Sequence, residues 1–124
     1  MVNGLAEGKG IWYGTKEPYI GDRYEGDWRN FKKEGKGIYY YNKEPFKSDR
    51  YEGDYRNGKK EGKGIMYYHN GGRYEGDFRN DKREGKGIMY LNNGDRMMGD
   101  YYKDSQIGKH VMLTKNGEVK ILKF

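Results

Sequence analysis

The segment spanning residues 49–65, DRYEGDYRNGKKEGKGI, is nearly duplicated by DRYEGDWRNFKKEGKGI at residues 22–38 and GRYEGDFRNDKREGKGI at residues 72–88. Aligned on the first glycine of Gly-Lys-Gly, the copies fall at Gly8, Gly35, Gly62, Gly85 and Gly108, with His110 replacing the last second glycine, so the spacings are 27, 27, 23 and 23. A segment of this length that keeps returning is one supersecondary unit, and neighbouring copies must stack to bury what one copy cannot.

The unit reads as a β-hairpin. Side chains alternate between the faces of a strand. In YEGDY this sets Tyr51, Gly53 and Tyr55 on one face against Arg50, Glu52, Asp54 and Arg56 on the other. The glycine between two rings marks a close approach, expected from a ring of the neighbouring unit. Gly53→Val is therefore expected to harm the fold more than Gly58→Ala, because Phe31 and Asp81 already occupy the position of Gly58 in sister copies. A return strand follows, with Ile11/Tyr13, Ile38/Tyr40, Ile65/Tyr67 and Ile88/Tyr90 on one parity, expected to be packed. The opposite parity carries Trp12, Tyr39, Tyr41, Met66, Tyr68, Met89 and Leu91, apolar but variable in kind. Strands are predicted over 23–28, 38–41, 50–55, 65–68, 73–78 and 88–91, joined by turn-rich connections such as 56–64. Hairpins joined end to end give an all-β, antiparallel ribbon. Longer turns at 16–23 and 43–50 account for the 27-residue spacings, and Tyr19 and Phe46 are expected to stack on each other there.

Composition supports the reading only through this periodicity. Leu, Ile, Val and Phe number 18 of 124 residues and the net charge is +6, values that in an aperiodic chain point to disorder. Here 14 Tyr, 4 Phe and 2 Trp recur at fixed positions and supply the missing apolar area. With no cysteine, disulfides, thiolate metal sites and a cysteine nucleophile are excluded, and an intracellular setting is expected.

The segments YEGDWRNFKKEGKGI, YEGDYRNGKKEGKGI and YEGDFRNDKREGKGI closely resemble the MORN repeat, Tyr-x-Gly-x-aromatic followed by Gly-x-Gly. The resemblance implies an elongated, twisted single-layer sheet that binds or dimerises proteins, is sometimes associated with phospholipids, and occurs in cytoskeletal, ciliary or junctional assemblies. The 124 residues then form one array: a partial unit at 7–23, full units at 24–50, 51–73 and 74–96, a degenerate unit at 97–119 in which Met97 replaces the first tyrosine, and an overlapping capping hairpin at 111–124.

Catalytic and cofactor readings fare poorly. Only three residues separate Gly58 from Gly62, and no Ser or Thr follows Lys63, so the loop is not a phosphate-binding loop. His69 and His110 lack a second metal ligand nearby and read as surface histidines. The pairs Glu25/Asp27, Glu52/Asp54 and Glu75/Asp77 recur beside arginines, as a solvated charge ladder does. No catalytic residue, cofactor or metal site is expected.

The remaining signal is a surface. The loops carry Arg29, Lys32, Lys33 and Lys36, then Arg56, Lys59, Lys60 and Lys63, then Arg79, Lys82, Arg83 and Lys86. Successive hairpins would set these cations in a basic stripe along one edge, suited to anionic phospholipid or an acidic peptide. The chain is expected to be a non-catalytic scaffold that binds a helix, a peptide or another copy through the variable apolar face, within the cytoplasm, the cytoskeleton or a cilium. The alternatives are a peripheral module on anionic phospholipid and the MORN portion of a larger enzyme. Nucleic acid is disfavoured, because acidic residues stand beside the rings.

Overall fold

The computed structural model describes residues 8–124. Glu7, the first residue of the expected partial unit, lies outside them. The strands are β1 (Gly8–Tyr13), β2 (Arg23–Arg29), β3 (Lys32–Tyr40), β4 (Arg50–Arg56), β5 (Lys59–Tyr67), β6 (Arg73–Arg79), β7 (Lys82–Tyr90), β8 (Arg96–Tyr102), β9 (Ser105–Leu113) and β10 (Val119–Lys123). They pair in chain order as one antiparallel sheet, the all-β ribbon of hairpins that the repeats predict.

The tight turns correct the expected boundaries. Only Asn57 and Gly58 separate β4 from β5, and both have positive φ, 51° and 82°. Asn30–Phe31, Asn80–Asp81 and Lys103–Asp104 repeat this geometry. Paired positive φ values match the twist of a hairpin, and asparagine tolerates them. The return strands therefore begin at Lys32, Lys59 and Lys82, and Gly-x-Gly lies inside a strand rather than in a turn. These glycines serve a bulge and a ring contact. Between the pairs Gly53↔Gly64 and Tyr55↔Lys60, Asp54 alone faces three residues of β5. Its carboxylate accepts the Lys63 amide at 3.2 Å. Asp27 does the same for Lys36, also at 3.2 Å.

Register places the core on one face. Trp12, Tyr24, Tyr39, Tyr51, Met66, Tyr74, Met89, Met97 and Met112 are cross-strand neighbours in an unbroken row. Beside it runs a ladder of edge-to-face rings, Trp28, Tyr24, Tyr55, Tyr51, Phe78, Tyr74, Tyr101, His110 and Phe124, with centroids 5.0–5.4 Å apart. Such pairs contribute about 0.5–1.5 kcal/mol each beyond their burial. The Tyr51 ring lies on Gly64, where a Cβ would fall far inside van der Waals contact with it. The close approach therefore comes from the partner strand of the same hairpin, not from the next unit. Gly53 in turn packs backbone to backbone, its Cβ position lying 2.5 Å from Gly64 Cα.

The Ile/Tyr parity is not the packed one. Ile11, Ile38, Ile65 and Ile88 alternate across the sheet with Glu25, Glu52 and Glu75 on the opposite, half-exposed face. Tyr40, Tyr67 and Tyr90 lie there beneath the Arg23, Arg50 and Arg73 guanidinium groups, at 4.2, 4.1 and 3.8 Å from the ring centroids. Those residues repeat because a charged surface ladder repeats, and their identity between copies does not report burial. His110, read from sequence as a surface residue, is fully buried inside the ring ladder. At the loops, Tyr19 and Phe46 do not meet each other. Tyr19 stands against Trp12 and Phe46 against Tyr41, each pair 6.3 Å apart.

Candidate functional site

Where the row of large side chains meets the first two hairpin turns, the aromatic face opens into a groove of about 800 Å³. Its surfaces come from Trp12, Trp28, Tyr39, Tyr41 and Tyr55, with Lys33 and Lys60 reaching in from β3 and β5. The hairpin geometry builds it. Trp28 fills the position held by Tyr55 and Phe78 in later units, and Phe31, at a turn tip, is 54% exposed.

The residues singled out on the variable parity fall into two groups. Trp12, Tyr39 and Tyr41 line the groove. Tyr39 is the most constrained, being buried, with its hydroxyl donating to Asp22 Oδ2 at 2.6 Å. Met66, Tyr68 and Met89 lie farther along, half-buried and packed on the core, and Leu91 is half-buried beyond them. Sequence reasoning missed Trp28, Tyr55, Phe31 and Tyr19 as lining residues. For Trp28 and Tyr55 the signal was present in the closing aromatic of Tyr-x-Gly-x-aromatic, which shares a face with the variable parity once the strands are registered.

The twelve cations do not form one stripe. Arg29, Lys32, Arg56, Lys59, Arg79 and Lys82 flank the tight turns and are exposed. Lys36, Lys63 and Lys86 turn to the charged face and pair with Asp54, Asp77 and Asp100. Lys33, Lys60 and Arg83 bend over the rings instead. Lys33 Nζ lies 4.7 Å from the Tyr39 centroid and 5.1 Å from that of Tyr55. Lys60 Nζ stands 5.3 Å from Tyr41, and the Arg83 guanidinium 5.1 Å from Tyr101. The division follows from strand alternation and the bulge, which send successive residues to opposite sides. Burial holds the Lys33 and Lys60 ammonium groups below the ordinary lysine range, with the charge of Asp81 opposing it. Burial likewise pushes the Tyr41 phenol well above its ordinary range.

The repeated carboxylates have structural work. Glu25, Glu52 and Glu75 pair with Arg23, Arg50 and Arg73 at 3.3, 3.2 and 3.0 Å, while Asp27 and Asp54 hold the bulges. Among the described residues, no group of three or more His, Cys, Asp or Glu side chains is arranged to hold a metal ion.

Residues 24–43, 51–73 and 74–96 match the model of the MORN repeat, together more than half of the chain. The chain belongs to the MORN-repeat family. Its MORN repeats supply β2 to β7, the greater part of the groove and the ring ladder. No curated protein matches the chain. Among solved structures, it is similar to the SAS-4 (dCPAP) TCP domain in complex with a proline rich motif of Ana2 (dSTIL) of Drosophila melanogaster, at 19% identity and a TM-score of 0.44. That match covers 82% of this chain and 59% of the other, so the array spans under two thirds of its length. No helix among the described residues is long and apolar enough to cross a membrane.

Proposed function

We propose that this MORN array is a non-catalytic protein-interaction scaffold that docks a partner segment on its aromatic face, within a cytoskeletal or ciliary assembly. One observation carries the reading: a groove of about 800 Å³ in which partly exposed Trp12, Trp28 and Tyr41 stand on a hydrogen-bonded sheet. Large rings held in place in advance are efficient anchors, because little side-chain freedom remains to be lost on binding. Met66 and Met89 extend the surface with side chains that adapt to irregular partners.

The test is capture of partners from native extract, followed by alanine substitution. Tyr41→Ala and Met66→Ala should speed dissociation, whereas neutralising Lys32, Lys59 and Lys82 together should mainly slow association and weaken its salt dependence. If the charge variant abolishes binding and the aromatic-face variants leave it intact, the scaffold reading fails.

A second reading has one observation in its favour. Among the described residues, none of the exposed edge cations Arg29, Lys32, Arg56, Lys59, Arg79 and Lys82 forms an ion pair. An unpaired basic edge suits anionic phospholipid, at about 1 kcal/mol per cation near the membrane surface. Pelleting with phosphatidylserine vesicles that falls with salt supports that reading, and equal pelleting with neutral vesicles removes it.

A further inference from the structure

The repeats contain their own control for the groove. Three of the tight turns donate a backbone hydrogen bond to the strand of the preceding hairpin: Gly58 N to Lys33 O at 2.9 Å, Asp81 N to Lys60 O at 3.1 Å, and Asp104 N to Arg83 O at 3.0 Å. The three junctions share this backbone link and differ in whether the donating turn residue carries a carboxylate. Asp104 Oδ1 accepts the Arg83 amide at 2.7 Å and faces its Nε at 3.4 Å. Asp81 Oδ1 accepts the Lys60 amide at 2.9 Å, and its charge acts on the ammonium groups of both Lys60 and Lys33. At the Lys33 junction the corresponding residue is Gly58, which has no carboxylate.

Lys33 is thus the inward-facing cation whose neighbouring turn supplies no anion. Its ammonium is half-buried above Tyr24, Tyr39 and Tyr55, and among the described residues it has no ion-pair partner. Lys33 and Gly58 both line the groove, and a Cβ built on Gly58 meets nothing within 4 Å. A desolvated cation with no carboxylate in direct contact is costly, and a charge-assisted bond formed away from water is strong.

We infer that the groove takes an acidic peptide segment, whose carboxylate occupies the place that Asp81 and Asp104 fill at the sister junctions and whose flanking apolar side chains lie against Trp12, Trp28 and Phe31. This rests on the scaffold reading and names the partner's chemistry. Charge complementarity selects the acid, and the aromatic walls select its apolar neighbours. The sister turns also supply the variant that tests it. Gly58 has φ +82°, close to the values of 70° and 71° at Asp81 and Asp104, so aspartate has two precedents in this conformation.

Two fluorescent peptides, Leu-Glu-Phe-Glu-Leu and its glutamine counterpart Leu-Gln-Phe-Gln-Leu, are titrated against the full chain by anisotropy. The glutamate peptide should bind about tenfold more tightly. Gly58→Asp, which supplies the missing carboxylate internally, and Lys33→Gln should both reduce that preference to about twofold or less, as for a solvent-exposed pair. Gly58→Asn, of equal size and uncharged, should keep it. Equal binding of the two peptides to the native chain, lost in Tyr41→Ala, overturns the charge assignment and leaves the docking surface standing. Binding of neither peptide overturns both. A glutamate preference that persists in Gly58→Asp and Lys33→Gln overturns the placement at this junction.

Discussion

The three full units and the last unit solve one packing problem from opposite strands. In the full units the first tyrosine of the motif lies on the second glycine of Gly-x-Gly, and its hydroxyl donates to the carbonyl three residues on: Tyr24 to Asp27 at 3.0 Å, Tyr51 to Asp54 at 2.9 Å, Tyr74 to Asp77 at 3.1 Å. In the last unit Met97 replaces the tyrosine, and the ring comes from His110 on the return strand. His110 lies on Gly99, and its Nε2 donates to the Asp100 carbonyl at 2.9 Å, the carbonyl of the same motif aspartate. The ladder continues unbroken from Tyr101 through His110 to Phe124, at 5.4 and 5.0 Å. What the fold demands at each hairpin is one flat ring with a donor at its tip, set on a bare backbone. Which strand supplies that ring is free.

The largest expected effect exploits the chemical difference between the two kinds of ring. Burial raises the phenol pKa of Tyr24, Tyr39, Tyr41, Tyr51, Tyr55 and Tyr74 in the folded chain. A raised folded value means the stabilisation is complete below the unfolded tyrosine pKa of about 10 and is lost as pH climbs above it. Each such tyrosine then costs about 1.4 kcal/mol per pH unit, so six together exceed an ordinary domain stability of about 5–15 kcal/mol within one to two units. Circular dichroism should show steep alkaline unfolding above pH 10, with a shallower dependence in Tyr51→Phe. A β spectrum unchanged at pH 12 contradicts the buried phenols.

Next come the glycines beneath the rings. Gly64→Val should cost about 3 kcal/mol or more, because neither the Tyr51 ring nor the Gly53 backbone can withdraw, while Gly58→Asn should cost less than about 0.5 kcal/mol. Equal melting temperatures for the two would remove the ring-on-glycine contact as a determinant. Smaller again is the polar tip. Tyr51→Phe below pH 9 and His110→Phe should each lose about 1 kcal/mol, the worth of one hydrogen bond to a carbonyl left without its donor. A loss confined to one of them would show that the two ring positions are not equivalent.

The smallest effect concerns Lys60, whose counterpart in the last unit is the neutral Gln106. A folded pKa below the unfolded value makes the lysine a liability at neutral pH that fades as pH rises. Relative to Lys60→Gln, the native chain should therefore gain up to about 1 kcal/mol between pH 7 and 10. A difference independent of pH would mean that the ammonium is fully solvated.

Strand order, hairpin repetition and the aromatic core were legible because Tyr-x-Gly-x-aromatic fixes both spacing and parity. The packed face of the return strand was not. Ile38/Tyr40 and Ile65/Tyr67 repeat more faithfully than Tyr39/Tyr41 and Met66/Tyr68, yet they belong to the half-exposed arginine ladder. Telling the faces apart requires the register that brings Tyr51 opposite Tyr39 and Met66. The groove was half legible. Trp12, Tyr39 and Tyr41 were named from parity, but Lys33 and Lys60 were assigned to an outer stripe, because the bulge that turns them inward lies within Gly-x-Gly and was read as part of a turn. His110 was misread because its substitution for glycine signals burial only once Met97, at the first position of the same unit, is seen to have lost its ring.

The central claim is that either strand can supply the ring, and it is tested by rebuilding the last unit inside a full one. In a double-mutant cycle of chemical denaturation, Tyr51→Met alone should lose about 2–4 kcal/mol by emptying the ring's place, and Gly64→His alone a comparable amount by crowding it. The double variant should recover part of both losses, with a favourable coupling of about 2 kcal/mol. Additive losses, with no recovery in the double variant, would contradict the account.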